Sequence, residues 1–207
     1  MANIKYTKGE LKKQRDALRQ YLRYLPTLQL KKQQLQSEIL HQAARVEERR
    51  TQEHARIGEA EVWAGLLSDE TVDLRPWVAP HGIVTGTRNI AGVDIPIYKN
   101  TEFGAAEYDL FLVPLWVDAA IDAFRAIISL RQEIEILRKA VEILRQELRT
   151  TTQRVNLFEK VKIPEAEEAI RRIKIHIGDQ MTNAVGRSKI AKKKIEKAMM
   201  VTEGAPS

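Results

Sequence analysis

The feature of this 207-residue sequence that most restricts its fold is a long run of mainly apolar residues spaced alternately three and four positions apart. The run comprises Leu130, Ile134, Leu137, Val141, Leu144, Leu148, Thr151, Val155 and Phe158. This spacing is typical of a coiled-coil seam, because it keeps one face of a helix turned toward a partner helix. The pattern extends beyond Pro164 through Ile170, Ile173, Ile177, Met181, Ala184, Ile195 and Met199. We therefore expect a long C-terminal helix over residues 117–200.

The N-terminal part of the sequence predicts a second long helix. Thr7 and Glu10 have the spacing of a capping box, in which each side chain bonds the backbone N–H at the other position. Apolar residues then continue in helical spacing through Leu11, Leu18, Leu22, Leu25, Leu28, Leu35, Ile39, Ala43, Val46, Ile57, Ala60 and Trp63. We expect this helix over residues 1–64, with a kink at Pro26 because proline removes one backbone hydrogen bond.

Two long amphipathic helices each need a partner for their apolar stripe. The favoured arrangement pairs them within one chain, and a homo-oligomeric coiled coil is the alternative. The predicted fold class is mainly α, with a long antiparallel two-helix coiled coil and a small hairpin-containing insert between the helices. Residues 201–207 are expected to form a flexible tail.

The segment between the helices, residues 65–116, is predicted to form a small knob with a short β-hairpin. Residues 82–87 and 93–98 are rich in β-branched side chains, which favour strands. Ala91-Gly92 is a turn signal between them, and Pro96 is expected at a strand edge because it has no N–H to donate. The apolar junction between knob and helices is assigned to Phe111, Leu112, Leu115 and Trp116.

The net charge of +6 is unevenly distributed along the sequence. Residues 1–24 carry seven basic and two acidic residues, and residues 160–200 carry eleven and five. An antiparallel hairpin would bring both ends together into one basic region suited to phosphate or to an acidic protein surface. The sequence contains no cysteine, phosphate-binding loop, metal-ligand spacing or nucleophile motif, so we expect no catalytic residues, cofactor or metal.

One stretch of the C-terminal helix carries a family resemblance. The sequence RVNLFEKVKIP at residues 154–164 resembles the signature R-V-N-A-L-E-x-V-x-I-P of the D subunit of V-type ATPases/ATP synthases. The matching residues are Arg154, Val155, Asn156, Glu159, Val161, Ile163 and Pro164. Leu157-Phe158 departs from the usual Ala-Leu. The hairpin residues Asn89, Gly92, Val93 and Pro96 are similar to a further segment of the family.

The resemblance implies a non-catalytic central shaft that transmits torque between a ring of A and B subunits and ion translocation in the membrane sector. It implies contacts with the A, B and F subunits and with the rotor-capping C/d subunit, on the cytoplasmic face of the membrane. Residues expected to face the A/B ring are Lys12, Lys13, Arg15, Arg187, Lys189, Lys192, Lys193 and Lys194. The hairpin is expected near the foot of the shaft, against F or the ring's lower edge, with a plain cap over the helix junction as the alternative.

Two other classes of protein fit parts of the sequence. A prefoldin-like chaperone also combines an antiparallel coiled coil with hairpins, and a nucleic-acid-binding coiled coil would explain the basic ends. The first is distinguished by formation of its own hexamer and the second by salt-sensitive DNA binding.

Overall fold

The computed structural model describes residues 5–62, 65, 73–108 and 114–203, with only the backbone given for 198–203. Its helices and strands are α1 (Lys8–Glu61), α2 (Arg75–Val78), β1 (Pro80–Ile90), β2 (Val93–Phe103), α3 (Trp116–Leu157), a π-helical turn (Phe158–Lys162) and α4 (Ile163–Glu203). The predicted class is confirmed: two long helical segments flank a two-stranded antiparallel hairpin. The predictions for Trp63, Phe111 and Leu112, the side chain of Met199 and tail residues 204–207 lie outside the described residues, whereas residues 201–203 belong to α4.

The start of α1 follows its sequence signal. The Glu10 N–H donates to Thr7 Oγ1 at 3.2 Å, and the Leu11 N–H donates to the Thr7 carbonyl at 3.0 Å. The Glu10 carboxylate accepts instead from Gln14 Nε2 at 2.7 Å, so half of the predicted capping box forms. Pro26 lies within α1 and does not end it.

The contacts of the chain divide it into two compact units, each built from parts of both long helical segments. One unit comprises Leu30–Thr152, and the other comprises Met1–Gln29 with Gln153–Ser207.

Cross-helix ion pairs in the unit Leu30–Thr152 show that α1 and α3 run antiparallel. Lys31 lies 2.8 Å from Glu147, and Arg49 lies 2.9 Å from Glu133. Residue numbers therefore rise along α1 in the direction in which they fall along α3. The predicted seam is buried at Leu35, Val46, Ile134, Leu137, Val141, Leu144 and Thr151.

Two positions of the predicted apolar stripe on α1 differ from the sequence expectation. Leu22 is 51% exposed, and the second difference is at Ala43. Gln42 is only 2% exposed, whereas the neighbouring Ala43, which the apolar pattern favoured, is half-buried. The Gln42 amide donates to Glu38 Oε1 at 2.6 Å, so its polar end is satisfied one turn away on the same helix. Hydrogen bonding thus allows a polar residue to occupy the apolar stripe.

In the unit Met1–Gln29 with Gln153–Ser207, α1 and α4 again pair antiparallel. The ring centroids of Tyr21 and Phe158 are 5.3 Å apart, and those of Tyr6 and His176 are 5.1 Å apart. The buried residues here are Val155, Ala166, Ala169, Ile170 and Ile173. The seam therefore continues past Pro164 as predicted, but only as far as the start of α1.

The predicted seam is wrong beyond Ile177. Every residue from 178 to 197 is exposed, including the predicted seam residues Met181, Ala184 and Ile195. The reason is geometric: Tyr6 already contacts His176, so α1 begins at that level and no described residue lies opposite the rest of α4. An apolar stripe needs a partner helix before it can be buried.

The hairpin is longer than its predicted strands and turns where expected. Ala91 and Gly92 both have positive φ, 51° and 77°, as a two-residue turn matched to strand twist requires. Pairing runs from Ile90 opposite Val93 to Pro80 opposite Phe103. Pro96 lies opposite Thr87, and the other side of β2 pairs with no strand in this two-stranded sheet. The predicted position of Pro96 at a strand edge is therefore confirmed.

The base of the hairpin is joined to α3 through Arg125. Its guanidinium donates to the carbonyl oxygens of Trp77 and Gly104, with Nη2 lying 2.7 Å from each, and it lies 5.3 Å from the centre of the Phe103 ring. An adjoining apolar cluster is centred on the buried residues Leu74, Val117, Ala120 and Ile121. The two strands are thereby held where they leave the helices.

Candidate interaction surfaces

The longest unbroken run of exposed residues in the described chain is the helical segment 178–197, which we call the distal helix. Its large apolar residues are more than half exposed: Met181, Val185, Ile190 and Ile195. It also carries six basic and two acidic residues, and the basic ones are Arg187, Lys189, Lys192, Lys193, Lys194 and Lys197. A helix with apolar side chains and no partner gains free energy when another surface covers it.

The two sets of predicted contact residues do not form one basic region. Lys12, Lys13 and Arg15 are exposed on the first turns of α1, beyond Tyr6 in the direction of Tyr21. Arg187–Lys194 lie on the other side of the Tyr6–His176 contact. Arg187, the first of them, is eleven residues past His176, or about 16 Å along the helix. The basic residues form two successive bands because α4 continues well beyond the start of α1.

The segment that carries the family signature contains a local change of helix geometry. Residues Phe158–Lys162 form a π-helical turn, and the Ile163 N–H bonds the Phe158 carbonyl five residues back. Pro164 follows directly, and its missing N–H interrupts the usual ladder at this level. Val155 is buried and Ile163 half-buried, whereas Arg154, Asn156, Glu159, Val161 and Pro164 are exposed or partly exposed. The spacing predicted one uninterrupted helix, and Pro164 was the only sequence signal of this turn.

A small ion-pair network follows the π-helical turn. Glu168 accepts hydrogen bonds from Arg171 at 2.7 and 2.8 Å and from Arg172 at 2.8 Å. These bonds lower the pKa of Glu168 to about 2 and raise that of Arg171. All three side chains are more than a third exposed, so the network orders this helix surface and contributes little stability.

The turn of the hairpin packs against the middle of the α1–α3 pair. Ile95, only 1% exposed, joins Leu35, Ala140 and Leu144 in one buried cluster. Leu35 precedes the end of α1 at Glu61 by 26 residues, about 39 Å of helix. The base of the hairpin is held to α3 at Arg125, whereas its turn packs far along the helix pair.

A groove of about 570 Å³ opens beside the hairpin turn. It is lined by Ile90 and Ala91 from the hairpin and, from α1, by Leu30, Gln33, Gln34, Ser37 and Glu38. Leu30 is 55% exposed. The groove therefore combines an apolar wall with amide, hydroxyl and carboxylate groups, a lining suited to a polypeptide segment.

Two apolar side chains are exposed at the foot of the helix pair. Val62 directly follows α1 and is 89% exposed, and Leu115 directly precedes α3 and is 94% exposed. Leu115 therefore lies outside the apolar junction to which its sequence position assigned it, whereas Trp116 packs there against the Val117 cluster. The ion pair between Glu53 and Arg131, at 2.6 Å, places these ends of the two helices side by side. Val62 and Leu115 thus belong to one end of the unit Leu30–Thr152.

No described helix contains an apolar stretch long enough to cross a membrane. Among the residues with described side chains, no group of three or more His, Asp or Glu is arranged to hold a metal ion.

Comparison with known proteins gives the family. The family model of the ATP synthase D subunit matches residues 10–193. The D subunit of a V-type ATP synthase from Borreliella burgdorferi is 43% identical over 95% of this chain and 97% of its own length. The corresponding protein of Chlamydia pneumoniae is 34% identical over 93% of both chains, and that of Chlamydia trachomatis serovar L2 is 32% identical over 94% and 97%.

The chain belongs to the family of ATP synthase D subunits. The resemblance carried by residues 154–164 is confirmed, and the prefoldin-like and nucleic-acid-binding alternatives are not favoured. Membership covers both long helices and the hairpin, because the family model begins in the first turn of α1 and ends within the distal helix.

Proposed function

We propose that this chain is the non-catalytic central shaft of a V-type ATP synthase, and that it transmits torque between ATP hydrolysis or synthesis in a ring of A and B subunits and ion translocation in the membrane sector. The observation that carries the proposal is the distal helix, which is exposed along its whole length, basic and partly apolar. A surrounding ring supplies the cover that such a helix lacks. The antiparallel pairing of α1 with α3 supports the role, since a paired helix resists bending and twisting better than a single one.

The ring contact is assigned to both basic bands. Arg187, Lys189, Lys192, Lys193 and Lys194 on the distal helix, with Lys12, Lys13 and Arg15 on α1, would face acidic groups of the A and B subunits. Exposed lysine and arginine pairs are individually weak and screened by salt. Weak, exchangeable contacts suit a surface that must pass each member of the ring in turn during rotation.

The end of the α1–α3 pair formed by Glu61 and Trp116 is assigned to the rotor-capping C/d subunit. Exposed Val62 and Leu115 provide the apolar contact there. The F subunit is assigned to the hairpin side, where the groove beside Ile90 and Ala91 lies. With these partners, the chain would lie at the cytoplasmic face of the membrane, as a peripheral member of the V1-type sector.

Co-expression with the A, B and F subunits of the same organism tests the proposal. We expect the full chain to co-purify with an A/B ring and to change its rate of ATP hydrolysis. A truncated chain that ends at Ile177 keeps the seam and the hairpin but lacks the distal helix, so it should retain F and lose most of the effect on the ring. A ring that hydrolyses ATP identically with and without the full chain would contradict the proposal.

A further inference from the structure

The buried face of the C-terminal helical segment changes register at the π-helical turn. On α3, the seam advances in alternating steps of three and four residues as far as Val155 and the half-buried Phe158. The same spacing would next place the seam at residues that are exposed: Glu165, Arg172 and His176. The residue after each of these is buried or half-buried instead: Ala166, Ile173 and Ile177. One extra residue therefore lies between the two parts of the seam.

The π-helical turn absorbs this extra residue. In a regular α-helix, one additional residue rotates the following side chains by about 100° around the axis, which would turn Ile173 away from α1. In the π-helical turn, the Ile163 N–H bonds the Phe158 carbonyl five residues back, so a single turn holds one residue more. Ala166 and Ile173 consequently stay on the covered face. The seam itself requires the turn.

The facing helix also lacks a backbone hydrogen bond at this level. The ring of Tyr21 lies 5.3 Å from that of Phe158, which fixes the part of α1 opposite the turn. Pro26 has no N–H, so the carbonyl of Leu22 has no donor four residues further on. Pro164 likewise has no N–H to offer the carbonyls of the π-helical turn. Both helices therefore have an incomplete hydrogen-bond ladder where they face each other.

Few packing contacts reinforce the pair at this level. No residue from 156 to 165 is buried, and α1 contributes no buried residue before Leu35. Every ion pair that the described residues form between the two long helical segments lies in the unit Leu30–Thr152: Lys31–Glu147, Arg45–Glu133, Arg49–Glu133 and Glu53–Arg131. Prolines and π-helical turns are the usual places at which long helices bend. Sparse packing and incomplete ladders together lower the resistance to bending and twisting.

We propose that residues 21–26 and 158–164 form a compliant joint, at which the helix pair bends and twists more readily than it does along α3 from Ile134 to Thr151. The cause is the extra residue, because it requires a helical geometry that proteins rarely adopt. In the chain, the π-helical turn separates the distal helix from α3. Torque passed between ring contacts on the distal helix and the foot would therefore cross the joint, and this role rests on the proposed function.

Deletion of one residue tests whether the extra residue creates the joint. Lys160 is an exposed residue of the π-helical turn, and without it the segment can continue as a regular α-helix with both parts of the seam on one face. We expect its deletion to keep or raise the denaturation midpoint. The matched control is deletion of Lys139, an exposed residue in the regular part of the seam, which should turn the residues after it away from α1 and lower the midpoint sharply. Equal losses in the two variants would overturn the proposal.

Amide exchange of the wild-type chain reports on the joint without any variant having to fold. We expect the amides of residues 159–163 to exchange about fivefold faster than those of residues 151–155 and 169–173, as the loss of about one backbone hydrogen bond allows. Deletion of Lys160 should slow exchange in the turn by about the same factor. Uniform protection from residue 151 to residue 173 in the wild type would overturn the proposal.

The role under load is tested in the assembled complex, with the A/B ring fixed to a surface and a bead attached through a Leu115→Cys variant. When ATP is removed, deletion of Lys160 should narrow the thermal spread of the bead's angle. An unchanged spread together with slowed amide exchange would overturn the role under load, whereas rotation on addition of ATP would still support the shaft. A complex that hydrolyses ATP without rotation would contradict the proposed function, and amide exchange would then decide the joint by itself.

Discussion

The Arg125 guanidinium donates two hydrogen bonds to the carbonyl oxygen of Trp77, from Nε at 3.0 Å and from Nη2 at 2.7 Å. The same Nη2 lies 2.7 Å from the Gly104 carbonyl oxygen. One side chain on α3 thus joins the segment that enters the hairpin to the segment that leaves it. The planar guanidinium presents several N–H donors in a fixed arrangement and can bond both carbonyl oxygens at once. A lysine has a single ammonium group and cannot reproduce this set of hydrogen bonds.

Replacement of this clamp should loosen the base of the hairpin. Hydrogen bonds from a charged donor contribute about 1.5–3 kcal/mol each when buried, and Arg125 is only partly buried. We therefore expect Arg125→Ala to lower the free energy of unfolding by about 2 kcal/mol and Arg125→Lys by about half as much. Chemical denaturation measures both. Arg138→Ala is the control, because its pair with Glu135 is exposed and its loss should cost under about 0.5 kcal/mol.

Removal of the Ile95 side chain should release the hairpin turn from the helices. Ile95 is 1% exposed and packs with Leu35 and Leu144. Truncation of a buried isoleucine to alanine leaves a cavity and costs about 2–4 kcal/mol. In Ile95→Ala, we expect faster amide exchange in β2 and a lower denaturation midpoint. The control Ile83→Ala alters a 42% exposed side chain on β1, and an equally large loss there would contradict the packing account.

The Glu168 network predicts a small effect of acid on stability. The pKa of Glu168 falls from 4.5 in the unfolded chain to about 2 in the folded one, because Arg171 and Arg172 bond its charged form. This contribution is fully present above pH 4.5 and is lost as the pH falls toward 2. The difference in melting temperature between the wild type and Glu168→Gln should therefore be constant near neutral pH and shrink across that acidic interval.

The neighbouring glutamate provides a control for the acid effect. Within the described part of the chain, Glu167 forms no ion pair, whereas the nearby Glu165 and Glu168 do. The difference between the wild type and Glu167→Gln should not shrink over the same interval in the way expected for Glu168. If both variants followed the same pH dependence, general acid destabilisation of the chain would explain the result better than this network.

The charge of the distal helix should act collectively. Lys192, Lys193 and Lys194 are all exposed, and single exposed ion pairs contribute about 0–1 kcal/mol. Each single Lys→Ala change should therefore leave coupling between ATP hydrolysis and ion transport almost unchanged. Replacement of Arg187, Lys189, Lys192, Lys193 and Lys194 together by Gln should lower coupling in the reconstituted complex. Normal coupling by that multiple variant would exclude an electrostatic role for the helix.

Much of the helix pairing was predictable from the sequence, because apolar spacing records which face of a helix is covered. Leu137 and Leu144 are buried as their spacing required, and the Ala91-Gly92 turn forms at the predicted position. The same spacing continues through Met181 and Ile195, where no described residue lies opposite. Apolar periodicity shows that one face of a helix can be buried. Whether the chain itself buries that face depends on where the partner helix begins and ends.

Long-range contacts account for the features that the sequence did not predict. Ile95 belongs to the core because the hairpin folds back to Leu35 and Leu144, and no local pattern encodes that distance. Gln42 enters the seam because a neighbouring carboxylate satisfies its amide. The proposed contact residues were assigned by resemblance, and the structure places them in two bands, one on the first turns of α1 and one on the distal helix.

Rotation of the chain inside its ring is the most direct test of the central claim. The sequence has no cysteine, so a single Leu115→Cys variant gives one attachment point at a 94% exposed position at the foot. A bead attached there, on a complex whose A/B ring is fixed to a surface, should turn continuously in one direction when ATP is added and stop when ATP is removed. A ring that hydrolyses ATP while the bead shows only random angular motion would contradict the assignment of this chain as the rotating shaft.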